Sequence, residues 1–243
     1  MPEYLRALIV ILVLATPVFW FFKPALTPHL IPTDAFVLRR NTWYGITLAG
    51  FLSQSFWIFI FILAILLINA RKKDSNPFGL YFFLLLALPQ IKQEIPGFFG
   101  INYIYTIDYV RMLTLFLLLP VCVTEWNRKS SEKVVFATDK ILFLYLSLVF
   151  VLRANVDTVG NSIRFFLDIM IDVVIPYYAV TRGIKNIEQM KDLLTSFVVA
   201  AMVVGLLGVF EFSKYWLLYS SLPDALKIDW SVSYLKEMNR CAL

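Results

Sequence analysis

The sequence predicts an all-α fold, a polytopic membrane bundle of about seven spans, and three observations predict it. The 243 residues are 60% apolar and only 16% charged, against about 25% charged for an ordinary soluble domain. Mean hydropathy is +0.74. The apolar residues fall in runs near the roughly 20 residues that one bilayer crossing needs, with basic residues clustered between them. A soluble body of this composition has too few polar groups to cover its surface, whereas a bilayer removes that demand.

Along the chain, the first span is set at 5–22, uncleaved, because it ends in the bulky Trp20, Phe21 and Phe22 where a signal peptidase site calls for small residues. Residues 23–42 are polar and proline-rich. Trp43–Ala70 carries no charge, so a second, tilted span is placed at 46–68. A third is placed at 78–95, although its uncharged run ends at Ile91. Lys92–Ile107, aromatic with Gly and Pro, suits an interfacial or re-entrant segment. The fourth span, 106–126, must take in Asp108 and Arg111, three apart and able to neutralise each other on one face. The fifth, sixth and seventh lie at 138–152, 165–181 and 193–211. One membrane domain, 1–212, is then followed by an interfacial segment, 213–243, in which tyrosines and tryptophans alternate with lysines as headgroup contacts do.

Orientation rests on the density of basic residues in short loops. The loops 71–77, 127–140 and 182–192 are the denser set and are expected to be cytoplasmic. That puts the N-terminus inside and the C-terminus outside, with Arg39 and Arg40 on the minority side. The net charge of +5 then reads as a topogenic signal and not as a nucleic-acid surface. Cys122, Cys241 and the single His29 supply neither a disulfide framework nor a metal site. There is no Walker A loop, GxSxG elbow or HExxH pair, so no cofactor or metal is expected.

Chemistry-bearing residues concentrate in the sixth span. Arg164, Asp168 and Asp172 stand at i, i+4 and i+8 and share one helix face. Charges in a membrane helix turn toward the bundle interior or a wet cavity. Two readings stand for them: a polar site open to the outside, or a structural ion pair between Arg164 and Asp168. Glu211, at the outer end of the seventh span, either orients an acceptor hydroxyl or is a solvated helix terminus. Arg153, Arg164, Lys214 and Arg240 share the outer side and would suit a diphosphate if they converge. No catalytic residue is assigned.

The run from Asp172 to Pro223, with Asp172, Pro176-Tyr177, Arg182 and Phe210-Glu211, resembles the middle of the O-antigen ligase and O-antigen polymerase superfamily. The resemblance implies a bacterial inner-membrane glycosyltransferase acting at the periplasmic face. Its donor would be an undecaprenyl-diphosphate-linked glycan and its acceptor a glycan, lipid or protein, with no metal and no nucleic acid involved. It also implies Arg- and His-bearing segments beyond Leu243, so the chain is expected to be an N-terminal portion, inactive alone, with Arg240 near the start of the next motif. A different class, a non-enzymatic component of a polysaccharide exporter or other transporter, is the alternative, since Asp108, Arg111, Asp168 and Asp172 also suit a permeation path.

Overall fold

The computed structural model describes residues 1–27, 29–97, 103–127 and 137–228. The basic turn at 128–136 and the tail from 229 onward lie outside them, Arg240 included. Helix α1 (Glu3–Leu26) buries one face through Ala7, Leu8, Ile11, Ala15 and Phe19. After a short turn, α2 (Thr33–Leu52) and α3 (Phe56–Lys73) form a helical hairpin. Gln54, at the bend, takes a positive φ of 51°, and Gly45 of α2 lies against Leu66 of α3.

This hairpin corrects the second span. The uncharged run Trp43–Ala70 is broken at Ser53-Gln54-Ser55, so it is the end of one helix and most of the next. The sequence of charges concealed the break because the three polar residues at the bend are all neutral. The consequence is geometric: residues 23–42 and 71–77 lie at the same end of the bundle.

The third span is also corrected. Helix α4 (Pro77–Leu84) has only 8 residues, about 12 Å of helix, too short to cross a bilayer. Asn76 caps it, accepting from the Phe78 amide at 3.2 Å, and Pro77 occupies its first turn. It is apolar nearly all round because it is enclosed by protein: Phe78, Leu80, Tyr81, Phe83 and Leu84 are all buried. The chain then forms an antiparallel hairpin of β1 (Lys92–Pro96) and β2 (Tyr103–Asp108), with Lys92 opposite Asp108. The fold is therefore predominantly, not purely, helical.

Two long helices are each interrupted by a π-helical turn. Helix α5 (Tyr109–Leu113) passes through Thr114–Leu118 into α6 (Leu119–Trp126). After α7 (Ala137–Ala154), helix α8 (Val159–Ile169) passes through Met170–Val174 into α9 (Ile175–Gly183). In both cases a proline comes next, Pro120 and Pro176. Proline lacks the amide and crowds the carbonyl four residues back, and a wide turn relieves that crowding. Helix α10 (Ile187–Lys214) packs against α4 and α1. The segment ends in a 3₁₀ turn, Leu218–Ser221, and α11 (Leu222–Leu226).

Among the described residues, three stretches are long and apolar enough to cross a membrane: Glu3–Leu26, Tyr109–Trp126 and Ile187–Lys214. Seven spans are not supported. The remaining helices are too short or carry too many charges, some of them mid-helix, such as Arg39 and Arg40 in α2. Large apolar side chains such as Trp20, Phe61, Phe143 and Phe212 are more than 60% exposed, which is compatible with a membrane protein. The Trp216 indole donates to Glu3 Oε1 at 3.1 Å, so the N-terminus and the segment after α10, expected on opposite faces, share one end.

Candidate functional site

Asp168 and Asp172 do come together, but around Arg111 and not Arg164. Arg111 lies one turn into α5, whose N-cap is Asp108, accepting from the Arg111 amide at 2.8 Å. Its guanidinium reaches Asp168 Oδ1 at 2.7 Å and is held in bidentate fashion by Asp172 at 2.8 and 3.1 Å. Asp108 Oδ2 stands 3.6 Å away. Arg111 also donates to the Thr106 carbonyl at 2.8 Å and faces the Tyr105 ring. Arg111 thus serves three carboxylates, with Lys92 a second cation opposite Asp108, and the cluster still holds surplus negative charge.

The exposures differ in a way that matters. The Arg111 side chain is 12% exposed, while those of Asp168 and Asp172 are 36% and 42% exposed. The arginine anchors the cluster inside, and the carboxylates present it outward. Burial pushes the Asp108 carboxyl up from its ordinary range, outweighing the Arg111 amide and charge, which pull it down. Burial likewise pushes the Tyr105 phenol up, against the pull of Arg111.

Arg164 has another task, and the expected Arg164–Asp168 pair is absent. Its guanidinium donates to the carbonyls of Tyr103 and Ile104 and to Asn161 Oδ1, and it stacks on the Tyr103 ring at 4.0 Å. Carbonyls of a two-stranded ribbon have no third strand to bond, so Arg164 satisfies them and fixes β2 along α8. Glu211 is not at this site: its carboxylate accepts from the Leu218 amide at 2.7 Å and ties α10 to the turn after it. Arg240 lies outside the described residues. Asp108, Asp168 and Asp172 surround a cation instead of converging on one point, and among the described residues no group of three acidic, His or Cys side chains has metal-holding geometry.

A second cluster has little signal in the sequence. Arg39 is fully buried and is gripped by Asp74 at 2.7 and 2.9 Å, by Asp192 at 2.5 and 3.0 Å, and by Ser196 Oγ at 2.8 Å. Asn76 Nδ2 donates to Asp192 at 2.8 Å. Gly79 leaves room for the guanidinium, since a Cβ there would stand 2.6 Å from Arg39 Nη1. The one sequence signal is Asp192 and Ser196, polar residues at i and i+4 on the face that α10 buries. Nothing local ties them to Arg39.

A third group lies at the ends of α7 and α9. Asp139 pairs with Arg182 and accepts from the Tyr177 hydroxyl at 2.7 Å, while Lys185 pairs with Glu125 at 3.0 Å. Nearby, Cys122, Val123, Trp126, Val174, Ile175 and Tyr178 line an open apolar pocket. No family model, curated protein or solved structure matches the chain.

Proposed function

We propose that the chain is the membrane-embedded part of a glycosyltransferase that draws on a polyprenyl-diphosphate-linked glycan, with Asp168, Asp172 and Arg111 at the transfer site. The observation that carries this reading is the partly exposed pair of carboxylates held on one face of a helix by a largely covered arginine, beside the Tyr105 ring. Carboxylates accept from sugar hydroxyls, and aromatic faces pack on sugar C–H surfaces. The likeness of Asp172–Pro223 to the O-antigen ligase and polymerase superfamily supports the same chemistry, and the bilayer holds the donor's tail.

The roles divide by geometry. Arg111 hydrogen-bonds both oxygens of Asp172 but meets Asp168 Oδ1 only as an ion-pair contact without a hydrogen bond. Asp168 is therefore the base: the acceptor hydroxyl loses its proton to Asp168 as its oxygen bonds to the anomeric carbon. The bond from that carbon to the diphosphate breaks, and the diphosphate leaves with the electron pair. Arg111 positions the two carboxylates; with the cluster net negative, it is not the cation that receives the departing diphosphate.

The test is photo-crosslinking of a diazirine-bearing polyprenyl-diphosphate glycan to the chain in bacterial membranes. Labelling that falls at least about tenfold in Asp168→Asn and Asp172→Asn, a loss of about 1.4 kcal/mol of binding, supports the reading. Undiminished labelling in both variants removes it. The surplus negative charge favours a second reading, a cation-conducting path in a transporter. Cation flux into vesicles that disappears in the same variants, without glycan labelling, is its signature.

A further inference from the structure

The α2–α3 hairpin changes how charge is distributed between the two ends of the bundle. One end gathers the loop after α1, the start of α2, the end of α3, the end of α9 and the start of α10. Arg40, Arg71, Lys72, Lys73, Lys185 and Lys191 all stand there. Arg39 and Arg40, on the minority side in a seven-span reading, thereby join the basic set. That exception disappears.

The carboxylates at this end are largely turned inward. Asp74 and Asp192 are consumed by Arg39, Asp139 by Arg182, and Glu125 by Lys185. Asp34 and Glu188 are the exposed acids left among the described residues, whereas Lys72, Lys73, Lys185 and Lys191 reach solvent. The opposite end carries Glu3, Glu94, Asp157, Asp168, Asp172, Glu211 and Asp224, set against Arg6, Lys92, Arg153, Lys214 and Lys227, so it has no basic excess. Internal pairing has therefore sharpened a charge contrast that the sequence shows only weakly.

We propose that the end bearing Arg40, Arg71, Lys72, Lys73, Lys185 and Lys191 is seated in an anionic phospholipid headgroup layer, with Glu3 and the Gln54 bend across the bilayer from it. A basic juxtamembrane surface is attracted to such a layer, and basic ends stay on the cytoplasmic side. The N-terminus is then extracytoplasmic, the reverse of the assignment from loop charges alone. The inference rests on immersion in a membrane and is independent of the glycan reading.

Single cysteines in a Cys122→Ala/Cys241→Ala background test it. Gln54→Cys reacts with a membrane-impermeant maleimide in intact spheroplasts, and Ser75→Cys reacts only after lysis. In phosphatidylcholine vesicles, a bimane label at position 75 is quenched about threefold more by spin-labelled phosphatidylglycerol than by spin-labelled phosphatidylcholine. The label at position 54 shows no preference, and Arg71→Glu/Lys72→Glu/Lys73→Glu abolishes the preference at 75. Labelling of position 75 in intact spheroplasts, or equal quenching there by both lipids, overturns the proposal.

Discussion

Arg39 shows what a single residue does in this fold. Its guanidinium sits against Gly79 with Asp74 and Asp192 on its other sides, so removing it strands two carboxylates away from water. Arg39→Ala should destabilise the protein by about 3–5 kcal/mol, read as a lowered midpoint of SDS unfolding. Gly79→Ala pushes a methyl into the same guanidinium and should cost about 1–3 kcal/mol. An unchanged midpoint in both would mean that Arg39 is held elsewhere. Asp108 has a pH signature of unusual sign. Its carboxyl is raised by burial, so the folded protein binds that proton more tightly than the unfolded chain does. Its contribution to stability is then largest at low pH and is lost as pH rises through the folded pKa. Asp108→Asn keeps a good N-cap, which Asp108→Ala loses at about 1 kcal/mol. Unfolding midpoints between about pH 4 and pH 7 should therefore slope less for Asp108→Asn than for the wild type.

Among the elements, the two π-turns decide where the site points. The Pro176 ring crowds the carbonyl four residues back, which belongs to Asp172, and the wide turn Met170–Val174 contains Asp172 itself. An extra residue in a turn rotates the helix before it by about 100° relative to the helix after it. Pro176→Ala, by letting the helix regularise, should swing Asp172 away from Arg111. A double-mutant cycle of Arg111→Ala with Asp172→Asn should show coupling of about 0.5–3 kcal/mol in the wild type and little in the Pro176→Ala background. The i, i+4, i+8 spacing put Arg164, Asp168 and Asp172 on one face, of which Asp168 and Asp172 share a partner and Arg164 does not. It could not identify their partner, because Arg111 arrives from another helix. The β-hairpin was legible only as an odd aromatic stretch, since its ordering depends on Arg164 capping its carbonyls.

For the molecule as a whole, α1 is the piece that closes the bundle. Its buried stripe meets α2 and α10, and Glu3 reaches Trp216. Deleting residues 1–27 uncovers that apolar seam and should abolish accumulation of monodisperse protein in detergent, as measured by size-exclusion chromatography. By contrast, Trp20→Ala, a change at an outward-facing position, should leave the elution profile unchanged.

Composition and run length by themselves determined that the chain is largely helical and apolar enough for a bilayer, and the stretches placed at 5–22, 106–126 and 193–211 overlap the long apolar helical stretches Glu3–Leu26, Tyr109–Trp126 and Ile187–Lys214. These are properties of one segment and the solvent around it. Only the tertiary structure decided that Trp43–Ala70 folds back on itself, that Pro77–Leu84 is a short internal helix, and that Arg39 and Arg111 each answer to carboxylates distant in sequence. The physical reason is common to all three. An uncharged residue is equally content against lipid or against protein, so hydropathy cannot tell the two apart, and a buried charge is tolerable only where its partner stands, which is a fact about packing.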